Sequence, residues 1–451
     1  MDSDDALELP SGFRLGVSTS AYQTEGAAGD RGESIWDGFL ARSRLPVAAW
    51  SVATDHLRRL EEDLDLAAGL GVTAYRFSLS WPRLMPEGRG RPRREALALY
   101  DRMLDAVLER GLEPWPCLYH WDLPRAMQER GGWAERDTTY YLADHAEVVG
   151  ELAAGRARRV FVMNEPNVHA VLGHLAGRHA PGLTDPSAFL GAVHHQNLAT
   201  GLAVARLREA APNVELGTIL SLQPCLPAAE GEEHELAAEL ADAVYNRAFL
   251  DPLFGRGYPE PLADMLAGHV EDGDLDELSR PLDVLGVNYY TRLRVRADAA
   301  SPVGLALADP PPASEVTAMG WEVYPRGLYD VLMRLREDYG GPRVVVTECG
   351  AAFPDEPDAA GRVDDERRAR FVVAHLRAAL AARAAGCDLD GFLVWTLVDN
   401  LEWTDGFAHR FGLVRLVPET LERVPKRSYA VLREVAASGA VPPPEAVTEL
   451  A

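Results

Sequence analysis

Eight short apolar runs, separated by stretches with helical spacing, constrain the fold of this chain more than any other feature. They occupy residues 13–18, 74–79, 113–119, 159–163, 215–220, 284–288, 343–347 and 391–395. Each has strand length and is rich in β-branched or aromatic residues. Between them, Leu57, Leu60, Leu64 and Ala67 recur at helical spacing before Gly71, and Val372, Leu376 and Leu380 do so before Gly386. Parallel strands need such crossovers. Eight strand-then-helix units, with no Pro/Ser/Gly-rich linker between halves, fit the α/β class as a closed (β/α)8 TIM barrel. An open Rossmann-like sheet is the alternative, but no G-x-G-x-x-G follows any of the runs. The expectation is a single barrel over residues 1–451 with short mobile termini. The irregular stretches 24–54 and 294–320 should then be loops at the barrel mouth.

Composition narrows the partners. With 47% hydrophobic and 25% charged residues the chain has the make-up of a folded globular protein. A formal net charge of -24 repels phosphate backbones and anionic lipid, which argues against nucleic acid or a membrane surface and for a neutral or cationic small molecule. Residues Met1 to Pro10 are acidic and carry neither a basic start nor an apolar run, so the expected compartment is the cytoplasm. Cys117, Cys225, Cys349 and Cys387 lie far apart without a C-x-x-C pair, so they are expected to be reduced, with no disulfide framework and no metal or other cofactor site. Lys426 is the only lysine. The arginine bias this reflects is read as a GC-rich coding preference.

In a barrel, chemistry sits at the C-terminal ends of the strands. The fourth run ends in Met163-Asn164-Glu165-Pro166 and the seventh in Thr347-Glu348-Cys349-Gly350, so two carboxylates reach the mouth. A single loop Glu is ordinarily a solvated surface charge. Two at strand ends supply what glycoside cleavage requires: one protonates the departing oxygen, and the other attacks the anomeric carbon or activates water. Arg76 and Tyr290, near the ends of the second and sixth runs, offer a cation and a phenol donor that would hold one carboxylate ionised.

The segments around these residues identify the chain as resembling glycoside hydrolase family 1, the β-glucosidase and β-galactosidase family. Nine match in order: LGVSTSAYQTEGA at 15, SIWDGF at 34, AYRFSLSWPRLMPEG at 74, LYHWDLP at 118, MNEPN at 163, NRAFLDPLFGRGYP at 246, LGVNYYT at 285, MGWEVYP at 319 and LVWTLVDNLEWTDGFAHRFGL at 393. The resemblance implies a (β/α)8 barrel that cleaves unphosphorylated β-D-glycosides with retention, through a covalent glycosyl-enzyme. Glu165 would be general acid and base, and Glu348 the nucleophile flanked by Arg76 and Tyr290. Asn164 would donate to the sugar 2-hydroxyl. Gln23, His120, Trp121, Glu402 and Trp403 would hold the remaining hydroxyls. Trp395 would form the floor beneath the ring, Phe411 would line the inner end, Trp321 would face the aglycone, and Asn288 would join the substrate-binding set. Relatives that take 6-phosphorylated sugars carry a small residue where Glu402 stands.

Departures lie close to the chemistry. Cys349 replaces the Asn expected after the nucleophile, and Val160, Val162 and Met163 replace the usual residues before the acid/base. Segment 43–54 and Val417-Pro418 also differ from the family's usual length or wording. Strand alternation should turn Cys349 away from Glu348, towards the barrel wall. Two further readings stay open: a transglycosylase that passes the glycosyl group to an alcohol, and a sugar-binding relative without turnover. The substrate partner is a small β-glycoside or oligosaccharide, and the oligomeric state stays open.

Overall fold

The computed structural model describes residues 5–301 and 303–449. Its eight barrel strands are β1 (Arg14–Ser18), β2 (Ala74–Ser78), β3 (Glu113–Tyr119), β4 (Arg159–Asn164), β5 (Glu215–Ser221), β6 (Val284–Asn288), β7 (Val344–Cys349) and β8 (Leu389–Trp395). All neighbours are parallel, the order round the barrel follows the chain, and β8 closes on β1 from Gly391 opposite Arg14 to Trp395 opposite Ser18. The main outer helices are α1 (Leu60–Gly69), α2 (Arg94–Glu109), α3 (Asp137–Ala153), α4 (Pro186–Ala210), α5 (Glu232–Asp242), α6 (Pro325–Asp338), α7 (Glu366–Ala384) and α8 (Arg427–Ser438). None among the described residues is long and apolar enough to cross a membrane. Residues 1–4 and 450–451, on which the expectation of mobile termini falls, lie outside the described residues.

Side chains alternate across a strand, and here both faces are covered. Ala74, Trp115, Cys117, Phe161, Ile219, Val284, Val345 and Leu393 fill the barrel interior. The neighbouring strands come so close that this layer has no room for a side chain at its glycines. A Cβ on Gly16 would lie 2.6 Å from the Ala74 carbonyl, and one on Gly217 would lie 2.4 Å from that of Val284. Outside, α2 buries Ala96, Tyr100, Met103, Leu104, Ala106 and Val107 as one stripe. The Asp185 carboxylate caps α4 by accepting from the Ser187 and Ala188 amides at 2.8 and 3.2 Å.

The structure moves several boundaries. Strands β4 and β7 run on to Asn164 and Cys349, past the last apolar residue of their runs, because ladder hydrogen bonds continue through polar residues. Helix α1 begins at Leu60 and leaves Leu57 outside. The stretch 24–54 holds a 3-10 turn, Ala28–Asp30, and two short α-helices, Ile35–Leu40 and Ala48–Ser51, the first started by a Ser34/Asp37 capping box. The stretch 294–320 is likewise not all loop: Leu293–Ala297 pairs antiparallel with Leu305–Leu307 and parallel with Cys225–Pro227. Three- to five-residue strands are too short for a sequence period to register.

At the N-terminal ends of the strands, Arg159 bridges Glu215 and Asp390 at 2.7 and 2.6 Å, while Arg14 reaches Asp390 at 2.9 Å. These pairs tie β1, β4, β5 and β8 together below the interior layer. A second ion cluster lies beside the mouth. The lone lysine, Lys426, is buried against Asp355 and donates to Asp399 at 2.7 Å. Asp399 in turn accepts from the Gly412 amide at 2.9 Å. Arg368 pairs with Asp355 at 2.8 Å and with Asp365. Removing the lysine would strand buried negative charge, so Lys426→Ala should lower the unfolding free energy by about 3–5 kcal/mol. Urea denaturation followed by tryptophan fluorescence measures this; a loss below ~1 kcal/mol would mean that Asp355 and Asp399 do not depend on the lysine for compensation.

Candidate active site

Two local irregularities aim the carboxylates. The pairing of β4 with β5 shifts register between Phe161 and Asn164, and that of β7 with β6 shifts between Val346 and Glu348. Phe161 and Val345 face the interior, and three residues further on, Asn164 and Glu348 point inward too. An unbroken alternation would have turned them outward. Glu165 then leaves β4 with a left-handed backbone, φ 47°. Cys349 is fully buried in the main core outside the cavity wall, and burial pushes its thiol well above the ordinary range, the state of a packing residue.

Arg76 lies in the middle of β2, not at its end, and is fully buried. Its guanidinium donates to Glu348 Oε1, and to Asn164 Oδ1 at 2.7 Å. Tyr290, two residues beyond β6, donates its hydroxyl to Glu348 Oε2 at 2.7 Å. Burial, then the Glu348 charge, keeps the Tyr290 phenol protonated far above neutrality. Glu348 therefore sits between a cation and a neutral donor. Glu165 has no cation bonded to it: its Oε1 accepts from Asn288 Nδ2 at 2.9 Å. Burial first, and the Glu348 charge second, push its carboxyl up to about 8. Of the two carboxyls in one cavity, Glu348 lies against a cation, while Glu165, without one, is kept protonated at neutral pH.

The same bonds fix a histidine. Because Asn164 Oδ1 accepts from Arg76 and from Asn288 at 3.0 Å, its Nδ2 must be the donor to His120 Nε2 at 3.1 Å. The His120 proton is then on Nδ1, which has no partner in the structure. Burial, aided by Arg76, lowers the His120 pKa well below its usual value, so the ring is neutral. The result is one buried N–H donor left unsatisfied at a cavity wall.

Glu165 and Glu348 open into a cavity of about 1010 Å³, which Gln23, His120, Trp121, Tyr290, Trp321, Trp395, Glu402, Trp403 and Phe411 also line. Arg76, Asn164 and Asn288 are buried behind the carboxylates and joined by the bonds just described, with one N–H of Asn164 Nδ2 left over after His120. Gln23 donates to the Leu401 carbonyl at 2.8 Å and accepts from Ser20 at 2.6 Å. Trp403 stacks between Trp36 and Trp121, ring centroids 4.3 and 4.7 Å away. Trp121 and Trp403 hold φ of 72° and 41°, so with Glu165 three of the seven described non-glycine residues with positive φ line this one cavity. Such strain gathers where a site over-determines its geometry.

Sequence reasoning missed Ser221 and Tyr245. Tyr245 donates to Ser221 Oγ at 3.2 Å, and the Ser221 hydroxyl lies beside Glu165. The fifth apolar run ends at residue 220, and the next residue, Ser221, is the strand end at which chemistry is expected in a barrel. Thr347, which donates to Asn288 Oδ1 at 2.7 Å, gave no signal in sequence. The electrostatics are directly measurable. Carboxyl 13C resonances should show Glu165 titrating near pH 8, well above the ordinary 4.5. In Glu348→Gln the value should fall, because a repelling charge is gone, yet stay above 4.5, because burial is the larger cause. A Glu165 pKa that does not move would remove the coupling.

Comparison with known proteins places this geometry in a family. The family model described as glycosyl hydrolase family 1 matches residues 6–440. β-Glucosidase A of Acetivibrio thermocellus is 38% identical over 442 residues, covering 95% of this chain and 98% of the relative. The thermostable β-glucosidase B of Thermobispora bispora is 40% identical, covering 96% and 92%. Among solved structures, the family 1 β-glucosidase of Thermotoga maritima superposes with a TM-score of 0.92 at 36% identity, covering 96% of this chain and 99% of that one. A psychrophilic β-glucosidase from Micrococcus antarcticus gives 0.91 at 39%, covering 96% and 98%. With a match along nearly the whole chain, and a closed barrel that opens on two facing carboxyls, this protein belongs to glycosyl hydrolase family 1 and is a retaining β-glycosidase.

Proposed function

We propose that the protein hydrolyses neutral β-glucosides by double displacement, with Glu348 as nucleophile and Glu165 as general acid and base. The unequal environments of the two carboxyls carry this reading. Glu348, paired with Arg76 and Tyr290, is set to attack the anomeric carbon. Glu165, a neutral acid below about pH 8, is set to protonate the leaving oxygen and then to deprotonate the incoming water. Asn288 acts from behind by donating to Glu165, and Asn164 does so by accepting from Arg76, the cation that holds Glu348. The unsatisfied His120 N–H, with Gln23, Glu402 and Trp403, suits the equatorial hydroxyls of a glucose ring lying over Trp395. The names of the relatives, several β-glucosidases with two 1,4-β-D-glucan glucohydrolases and a bifunctional β-D-glucosidase/β-D-fucosidase among them, favour glucose, and the Thermotoga maritima enzyme has been solved with glucoimidazole and with deoxynojirimycin. Four free thiols and the absence of any disulfide among the described residues support a reducing, cytoplasmic setting.

Water is the acceptor in this reading, in preference to an alcohol, and the intact carboxyl pair speaks against a relative without turnover. Proton NMR of the first product from a β-glucoside should show the β-anomer; the α-anomer would rule out double displacement. Glu348→Ala should abolish the glycosyl-enzyme. Glu165→Ala should lower kcat/KM ~100-fold or more for substrates with poor leaving groups and spare kcat/KM for activated aryl glycosides, whose slowed deglycosylation azide should in part restore. Equal slowing of good and poor leaving groups would remove Glu165 from the acid role. In the unaltered enzyme kcat/KM should decline as pH rises through about 8, because the acid loses its proton there.

A 6-phosphate is disfavoured, although not by Glu402 alone. Burial, then Asp405 and the two catalytic carboxyls, raise Glu402 to about 8, so its own charge is largely absent at neutral pH. The dianion would instead meet the Asp405 and Glu348 charges that already act on Glu402. A 6-phosphoglucoside should therefore show kcat/KM at least ~10-fold below the plain glucoside, equal to about 1.4 kcal/mol in the barrier. The reverse order in initial rates would overturn the unphosphorylated assignment.

A further inference from the structure

We propose that the outer half of the cavity is shaped for an extended apolar aglycone, an alkyl chain or a fused ring system, and not for a second sugar. This rests on the β-glucosidase reading above and adds the class of leaving group. Beyond Trp321, the wall changes character: Val171, Leu175, Met265, Val303, Leu305 and Leu307 carry it outwards. Leu305 and Leu307 are two apart on one short strand, so they share a face, and the pairing of that strand with Leu293–Ala297 holds them in place. Met265, Val303 and Leu307 are 52%, 52% and 62% exposed, so a third of the nine large hydrophobics exposed among the described residues stand round this one opening. Apolar surface held open to water and continuous with a ligand cavity marks what the ligand covers.

Three charged groups of the outer cavity, Glu322, Arg292 and Arg294, point the same way, because they are already bonded within the protein. Glu322 accepts from Arg292 Nε and Nη2 at 2.7 and 2.9 Å, and from Ser314 at 2.7 Å. Arg294 donates to the carbonyls of Asp309 and Ala228 at 2.6 and 3.0 Å. A second sugar would bring several hydroxyls against Val303, Leu305 and Leu307, where they would lose water and find no partner. An alkyl or ring aglycone loses nothing there and buries the exposed side chains.

The test compares octyl β-glucoside, kept below its micelle-forming concentration, with cellobiose, and uses β-glucosyl fluoride as a substrate whose leaving group is too small to reach the outer wall. We expect turnover of the fluoride, and kcat/KM for octyl β-glucoside at least ~10-fold above cellobiose, a margin a few buried methylenes supply. Leu307→Asp and Val303→Asp, each at an exposed position, should each lower the octyl-to-cellobiose ratio ~5-fold or more; taking the ratio cancels any general loss of activity. Turnover of the fluoride with cellobiose equal or preferred, or a ratio unchanged in both variants, overturns the apolar aglycone and leaves the glycosidase reading standing. No turnover of the fluoride by the folded protein overturns the glycosidase reading, and this inference with it.

Discussion

A guanidinium sealed in the barrel is the constraint on which the site depends. Arg76 is cut off from water, a position that a charge occupies only when paired and hydrogen-bonded. Its partners are Glu348 from β7 and Asn164 from β4, so one side chain links the strands that bear both carboxyls. Everything near it follows from keeping that charge satisfied. Asn164, oriented by Arg76, decides which nitrogen of His120 carries the proton, and Asn288 ties Asn164 to Glu165. The site is one connected network in which the state of each group sets the next.

Around this network the mouth is rigid where the chemistry is placed. Trp36, Trp403 and Trp121 stack in sequence, and the indole of Trp121 donates to the Asn164 carbonyl at 2.8 Å. The segment that supplies Glu402, Trp403 and Phe411 is held from behind by Asp399, which binds the Gly412 amide and is itself paired with Lys426. A residue that composition marks only as a coding accident thus carries a structural burden. Buried pairs of this kind fix geometry more than they add net stability, which suits side chains that must be preorganised.

Much of the architecture was legible because it rests on local patterns. All eight barrel strands fall on the eight apolar runs, and the helices fall on the stretches with helical spacing between them. The motifs also marked residues that the fold brings round one cavity, from Gln23 to Phe411. The small strands Leu293–Ala297 and Leu305–Leu307 were not legible, since their few residues leave no period. Nor was the burial of Arg76, Asn164 and Asn288 behind the cavity surface, because a motif gives a residue's type and place in the chain but not its depth.

The sequence by itself determined the order of strands and helices, the two carboxylates at strand ends and the family to which they belong, since these depend on residue types and their spacing along the chain. Tertiary structure alone decided which way Glu348 and Asn164 face, through register shifts that spacing does not encode. It also decided that Glu165 keeps its proton at neutral pH while Glu348 lies against Arg76. Those outcomes depend on burial and on the distance between charges that the chain brings together from remote positions, and neither quantity exists until the barrel closes.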